Sequence, residues 1–118
     1  MVFRNGVIKA IVFYLILVLC GPLFAQGAVV YPNPWVPESG KERYGSLSDG
    51  ITFKNLPSDG EISIYSTNGL LVKRFIYTGS TAKWYGKNTD NEDVASGVYL
   101  WVVKSSDSTI KGKLIILR

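Results

Sequence analysis

From Val98 to Val103 six apolar residues follow one another without a polar break, and Lys104 ends the run. An amphipathic helix spaces its apolar residues three and four apart, so a run this short and continuous reads as a strand apolar on both faces, the mark of a position inside a sheet. Ser96-Gly97 feeds the run and Ser105-Ser106-Asp107 ends it; both are turn-forming stretches. The same grammar recurs along the chain. Val29-Val30-Tyr31 stops at Pro32-Asn33-Pro34. Ile51 and Phe53 alternate with Thr52 and Lys54, and Ile62 and Ile64 share one face of the next run. Between these two runs Pro57-Ser58-Asp59-Gly60 predicts a turn with positive φ at Gly60. Asn68-Gly69 predicts a two-residue hairpin into Leu70–Tyr77. Ala82–Tyr85 is a short strand before a polar loop, Gly86 to Asp93. In the last run Ile110, Leu114 and Ile116 share a face while Lys111 and Lys113 point outward. No segment shows helical periodicity. About seven strands in about 90 residues predict an all-β, immunoglobulin-like two-sheet β-sandwich.

The first residues stand apart from that pattern. Arg4 and Lys9 precede an unbroken apolar run, Ala10 to Leu19, and Gly21-Pro22 and small residues follow. That order is a secretory signal peptide, and the run falls short of the roughly 20 residues a membrane span needs. The expected organisation is a signal-peptide helix over 1–25 and one sandwich domain over 26–118, cut after Ala25 or, next best, after Gly27. The single cysteine, Cys20, follows Leu19, where a lipidation site would want a small residue. The domain is expected to be exported across the inner membrane to the periplasm, the outer surface or the medium, and to be free of the membrane once cut.

Composition then excludes several chemistries. The chain has no His and its one Cys lies in the leader, so Ser–His and Cys–His nucleophilic sites are unavailable to the domain. Without Arg4 and Lys9, 11 basic residues stand against 9 acidic ones, a net charge of +2. These charges are scattered, so no nucleic-acid surface is expected. Asp90, Glu92 and Asp93 crowd one loop with Asn88 and Asn91, yet their spacing fits no EF-hand, and a solvated turn is the simpler reading. No paired carboxylates suggest a glycosidase. The domain is read as non-enzymatic, with no catalytic residue, metal or cofactor.

The aromatic residues are the richer signal. Trp35, beside Pro34, is expected to plug one end of the sandwich. Val98, Leu100 and Val102 make one face of their strand and Tyr99, Trp101 and Val103 the other; alternation alone leaves open which is inside. Were Tyr99 and Trp101 to face out, they would mark a protein partner surface or, with Trp35, a flat platform for polysaccharide.

Taken in order, these pieces resemble a known family. Tyr31-Pro32-Asn33-Pro34-Trp35 with Pro37 opens the domain. Ile62, Ile64 and Tyr65 precede Asn68-Gly69 and Val72. Trp84 and Gly86 precede Val94, Ser96, Gly97, Val98 and Tyr99, and a Lys-rich apolar strand with Lys111 and Lys113 runs to Arg118. The series resembles the immunoglobulin-like domain of flagellar hook-capping proteins and the related C-terminal sorting domain of type 9 secretion. Tyr85 stands where that family often has Asp, and Asn91 where it often has Gly; Asn is the next-best residue for a left-handed position. The resemblance implies that Trp84 packs in the core. It also implies a domain recognised by export or surface-assembly machinery, or by a larger envelope protein. A sorting domain normally follows a cargo, whereas here the sandwich follows the leader directly and has only itself to sort. The residues expected to carry contact are Lys111, Lys113 and Arg118 on the terminal strand, whose edge a partner strand could extend, together with Tyr99 and Trp101. Gly97 is expected to sit where a side chain is costly. The alternative reading is a carbohydrate-binding or adhesion module using the exposed aromatics.

Overall fold

The computed structural model describes residues 27–118; the expected signal peptide, residues 1–25 with Cys20, lies outside the described residues. Seven strands form: β1 Val29–Tyr31, β2 Ile51–Lys54, β3 Gly60–Ser66, β4 Leu71–Tyr77, β5 Ala82–Trp84, β6 Gly97–Lys104 and β7 Thr109–Ile116. Among the described residues the only other regular element is a 3₁₀ turn, Glu42–Tyr44, between β1 and β2. All pairings between these strands are antiparallel, in a three-stranded sheet ordered β1-β2-β5 and a four-stranded sheet ordered β4-β3-β6-β7. The chain is therefore an immunoglobulin-like β-sandwich, as the spacing of its apolar runs predicts.

Side-chain alternation aims the core. Ile51 and Phe53 of β2, Ile62 and Ile64 of β3, and Leu114 and Ile116 of β7 are fully buried, while Lys111 and Lys113 stay exposed. On β6 it is Tyr99, Trp101 and Val103 that turn inward; Val98 and Leu100 are exposed. Large rings join the two sheets. Phe53 meets Trp101 edge to face at 5.8 Å between centroids, and Trp84 meets Tyr99 at 6.4 Å, both arrangements that aromatic quadrupoles favour. β6 lies in the middle of its sheet, between β3 and β7, with its inward face apolar and buried.

Two turns depart from expectation. The β3–β4 hairpin closes through a Ser66 N–H bond to the Leu70 carbonyl, with Gly69 at φ 87°. Its loop is thus three residues ending in a left-handed glycine, the next hairpin class after the two-residue turn; separately, the register shifts at Ile64/Tyr65, where Val72 of β4 is the extra residue. Before β3 the positive φ, 51°, belongs to Asp59, not Gly60. Asp is among the residues that tolerate this conformation, and the Asp59 carboxylate accepts a bond from the Gly79 N–H, 20 residues on, at 3.0 Å. Gly60 serves another need: a side chain there would collide with the Lys104 carbonyl and the Tyr77 ring. Asn91, at φ 63°, takes the left-handed position in the polar loop.

Candidate functional site

β7 lies at an edge of the four-stranded sheet, where backbone groups would stand unpaired. Half of that edge is already occupied by the segment after β1. The Trp35 N–H donates to the Ile115 carbonyl at 2.9 Å and the Trp35 carbonyl accepts from the Leu117 N–H at 3.0 Å. The Asn33 side-chain amide donates to the Lys113 carbonyl at 3.1 Å and accepts from the Ile115 N–H at 3.0 Å. Its donor and acceptor are spaced as a peptide group's are, so one side chain extends the ladder by a residue. This strap is pinned by Trp35, which is fully buried and whose indole N–H reaches the Ser46 carbonyl at 3.2 Å. Trp35 thus plugs the sandwich end. Tyr31, Pro32 and Pro34 supply the approach to it, a run of bends with cis peptide bonds at Tyr31-Pro32 and Asn33-Pro34. Among the described residues nothing pairs with the outer edge from Thr109 to Gly112, so any strand added to β7 has only this upper half available.

The five expected contact residues separate. Lys111 and Lys113 lie exposed on the outer face of β7, opposite Val102 and Leu100. Tyr99 and Trp101 do not reach the surface; they are 8% and 6% exposed. Their rings are held inward by Trp84 and Phe53, and by Gly112, which stands opposite Trp101 and leaves room for its indole. The Tyr99 hydroxyl donates to the Ala95 carbonyl at 2.7 Å. Burial pushes the Tyr99 phenol above its ordinary pKa, with the Arg118 charge opposing. The Trp101 N–H has no partner.

Arg118 also turns inward. Its side chain is 17% exposed. Nε donates to the Val94 carbonyl at 2.7 Å, a terminal nitrogen donates to the Gly86 carbonyl at 3.3 Å, and the guanidinium lies 5.3 Å from the centroid of Trp35. The Arg118 N–H meets the Ser96 hydroxyl at 2.7 Å. The motif residues Ser96, Gly86 and Arg118 therefore form one clasp that ties the polar loop to the terminal strand. Gly86, at φ 69°, has no room for a side chain, because Trp35 and Arg118 fill that space. Trp84, 3% exposed, donates to the Lys87 carbonyl at 2.9 Å. Gly97 has a positive φ, 159°, which side chains rarely adopt, although space is open around it: a side chain there would meet only the Tyr99 ring edge at 3.9 Å.

Three side chains of the polar loop, Asn88, Glu92 and Asp93, have oxygens engaged by protein groups. Asn88 Oδ1 accepts from the Asp90 and Glu92 N–H groups, and its amide donates to Glu92. Asp93 pairs with Lys87 at 2.8 Å and lies 3.7 Å from Arg118. The Lys87 hydrogen bond holds the Asp93 carboxyl below its ordinary pKa; desolvation opposes it, and the charges of Lys87 and Arg118 each add a smaller lowering.

A family model, "Secretion system C-terminal sorting domain", matches residues 46–117. This chain belongs to that family. The match runs from the loop before β2 through all of β7, and its family is one of secretion modules. Two solved structures share the fold of this sorting domain. One is PorZ, described as an essential bacterial surface component of the type-IX secretion system of Porphyromonas gingivalis, with TM-score 0.62 and 30% identity, covering 77% of this chain. The other is a dimeric latent PorU from the same organism, with TM-score 0.52 and 22% identity over 76% of the chain. The chain spans only 11% and 9% of those two proteins. Among curated proteins none matches it.

Sequence reasoning had Asn33, Gly86 and Val94 as motif letters without their roles, and overlooked Gly112. A lone glycine inside an otherwise strong strand was the available signal for Gly112, since it often marks a close approach.

Proposed function

We propose that residues 26–118 form an exported, non-catalytic sorting domain that secretion machinery at the cell envelope recognises by protein–protein contact, with Lys111 and Lys113 on the recognition face. The single observation behind this reading is the family match over 46–117, which takes in the whole terminal strand. Lys111 and Lys113 are the two expected contact residues that remain free to touch a partner. No helix among the described residues is long and apolar enough to cross a membrane. A carbohydrate platform built on Trp101, Tyr99 and Trp35 would need those rings at the surface, and all three are buried. The test is charge reversal, Lys111→Glu with Lys113→Glu, scored by circular dichroism for folding and by fractionation for export. A folded protein that fails to reach its destination supports the reading; normal export refutes it. The signal-peptide boundary is checked by the mature N-terminus, expected at Gln26 or Ala28.

A further inference from the structure

The outer face of the four-stranded sheet breaks the usual alternation. In a sandwich of antiparallel sheets the solvent face is polar, yet β6 presents Val98, Leu100 and Val102 outward. Val98 and Leu100 are 40% and 36% exposed, and Ile115, opposite Val98 on β7, is 39% exposed. Leu100 is flanked by Tyr65 of β3 on one side and Lys113 of β7 on the other. The surface dips here into a groove of about 420 Å³ lined by Tyr65, Leu100, Val102, Lys111 and Lys113, with Trp101 and Gly112 completing it.

Charge defines what could fill it. The register places Arg74, Ser63, Val102 and Lys111 in one row across the sheet, and Glu61 beside Lys104 in the next. Four cations, Arg74, Lys104, Lys111 and Lys113, thus stand on this face against one carboxylate, Glu61, for a net charge of +3. Glu61 is itself 3.8 Å from Arg74. A second copy docked face to face would set this cationic rim against itself, and like charges brought together at an interface cost several kcal/mol. A partner with carboxylates around an apolar centre meets both features at once: its charges complement the rim, and its apolar side chain displaces water from the groove.

We propose that this groove docks an acidic segment of a partner protein, seating one large apolar side chain against Leu100 and Val102 between carboxylates that face Lys111 and Lys113. The proposal rests on the protein-contact reading above and names the partner's chemistry.

The probe is a synthetic peptide alternating Asp and Phe, titrated into the whole exported protein while backbone amide signals are followed by NMR. Its controls are an alternating Lys–Phe peptide, an alternating Asp–Ser peptide, and vesicles of anionic phospholipid. The expected result is a saturable shift centred on Leu100, Val102, Lys111, Gly112 and Lys113 with the Asp–Phe peptide alone, weakened by added salt. Leu100→Ser should weaken binding by about fivefold or more, as loss of a central apolar contact does. Lys113→Glu should weaken it by about tenfold; its exposed side chain makes it the variant least at risk of unfolding. Equal binding of the Asp–Ser peptide would reduce the site to charge alone, and equal binding of the Lys–Phe peptide would leave only a greasy patch. Shifts reproduced by vesicles, or by raising the protein concentration alone, would assign the face to a lipid surface or to a second copy. Each of these overturns the proposal, as does the absence of shifts in the groove. If export fails on reversal of Lys111 and Lys113 while the peptide leaves the groove untouched, protein contact stands and the acidic–apolar partner falls.

Discussion

Replacing Arg118 by Met tests whether this residue is a clasp or a contact. Met keeps an apolar stem of similar reach and removes the guanidinium. Two bonds are lost, to the Val94 carbonyl at 2.7 Å and the Gly86 carbonyl at 3.3 Å, along with the position over Trp35 at 5.3 Å. A hydrogen bond to a charged group contributes about 1.5–3 kcal/mol, and the longer of these two less. A cation over an aromatic face adds about 0.5–1 kcal/mol. The ion pair to solvent-facing Asp93 is left out of the sum. The expected loss is about 2–4 kcal/mol, a large share of the roughly 5–15 kcal/mol that a domain has in all. For a domain of this size that corresponds to a fall in Tm of roughly 10–30 °C. Thermal unfolding followed by circular dichroism, with tryptophan fluorescence as a second probe, reads it directly. Lys111→Glu with Lys113→Glu is the control, since exposed substitutions shift stability by under about 0.5 kcal/mol each. An Arg118→Met protein melting within about 3 °C of the parent would mean that the clasp contributes under about 1 kcal/mol, and the reasoning fails.

The glycines should rank by what surrounds them: Gly86→Ala, at φ 69° and against Trp35 and Arg118, should destabilise by about 1–3 kcal/mol in urea unfolding, and Gly97→Ala by clearly less. Asn33→Ala strands the Lys113 carbonyl and the Ile115 N–H; hydrogen exchange at Ile115 should accelerate, with a global cost of about 1–2 kcal/mol, whereas unchanged protection would show that the strap does not hold the edge. The Lys87 hydrogen bond holds the folded Asp93 pKa below the ordinary carboxylate value, so its contribution is present above that ordinary value and fades as pH falls through the lower folded pKa. Tm measured from pH 5 to pH 2 should therefore fall less steeply in Asp93→Asn than in the parent, and parallel curves would count against the Lys87 pairing.

The all-β class and the inward sides of β2, β3 and β7 could be read from the chain alone, because alternation with a period of two is a local property that survives in the sequence. Ile51 with Phe53, Ile62 with Ile64, and Leu114 with Ile116 all lie where their spacing puts them. Turn positions were legible for the same reason; turn types were less so, since Asp59 and Gly60 exchange roles through a carbonyl that arrives from Lys104. β6 was undecidable by pattern, being apolar on both faces. Only the packed sandwich chose, by giving Trp101 a ring partner in Phe53 and a side-chain-free neighbour in Gly112. The candidate site was legible in part for a related reason. Lys111 and Lys113 follow from alternation within one strand, whereas the strap joins Asn33 to Lys113 across 80 residues and the clasp joins Arg118 to Gly86 across 32. Short-range periodicity carries no trace of such pairings. They form because buried or edge-lying backbone groups need partners, and which side chain supplies each one depends on where the two sheets bring the chain together.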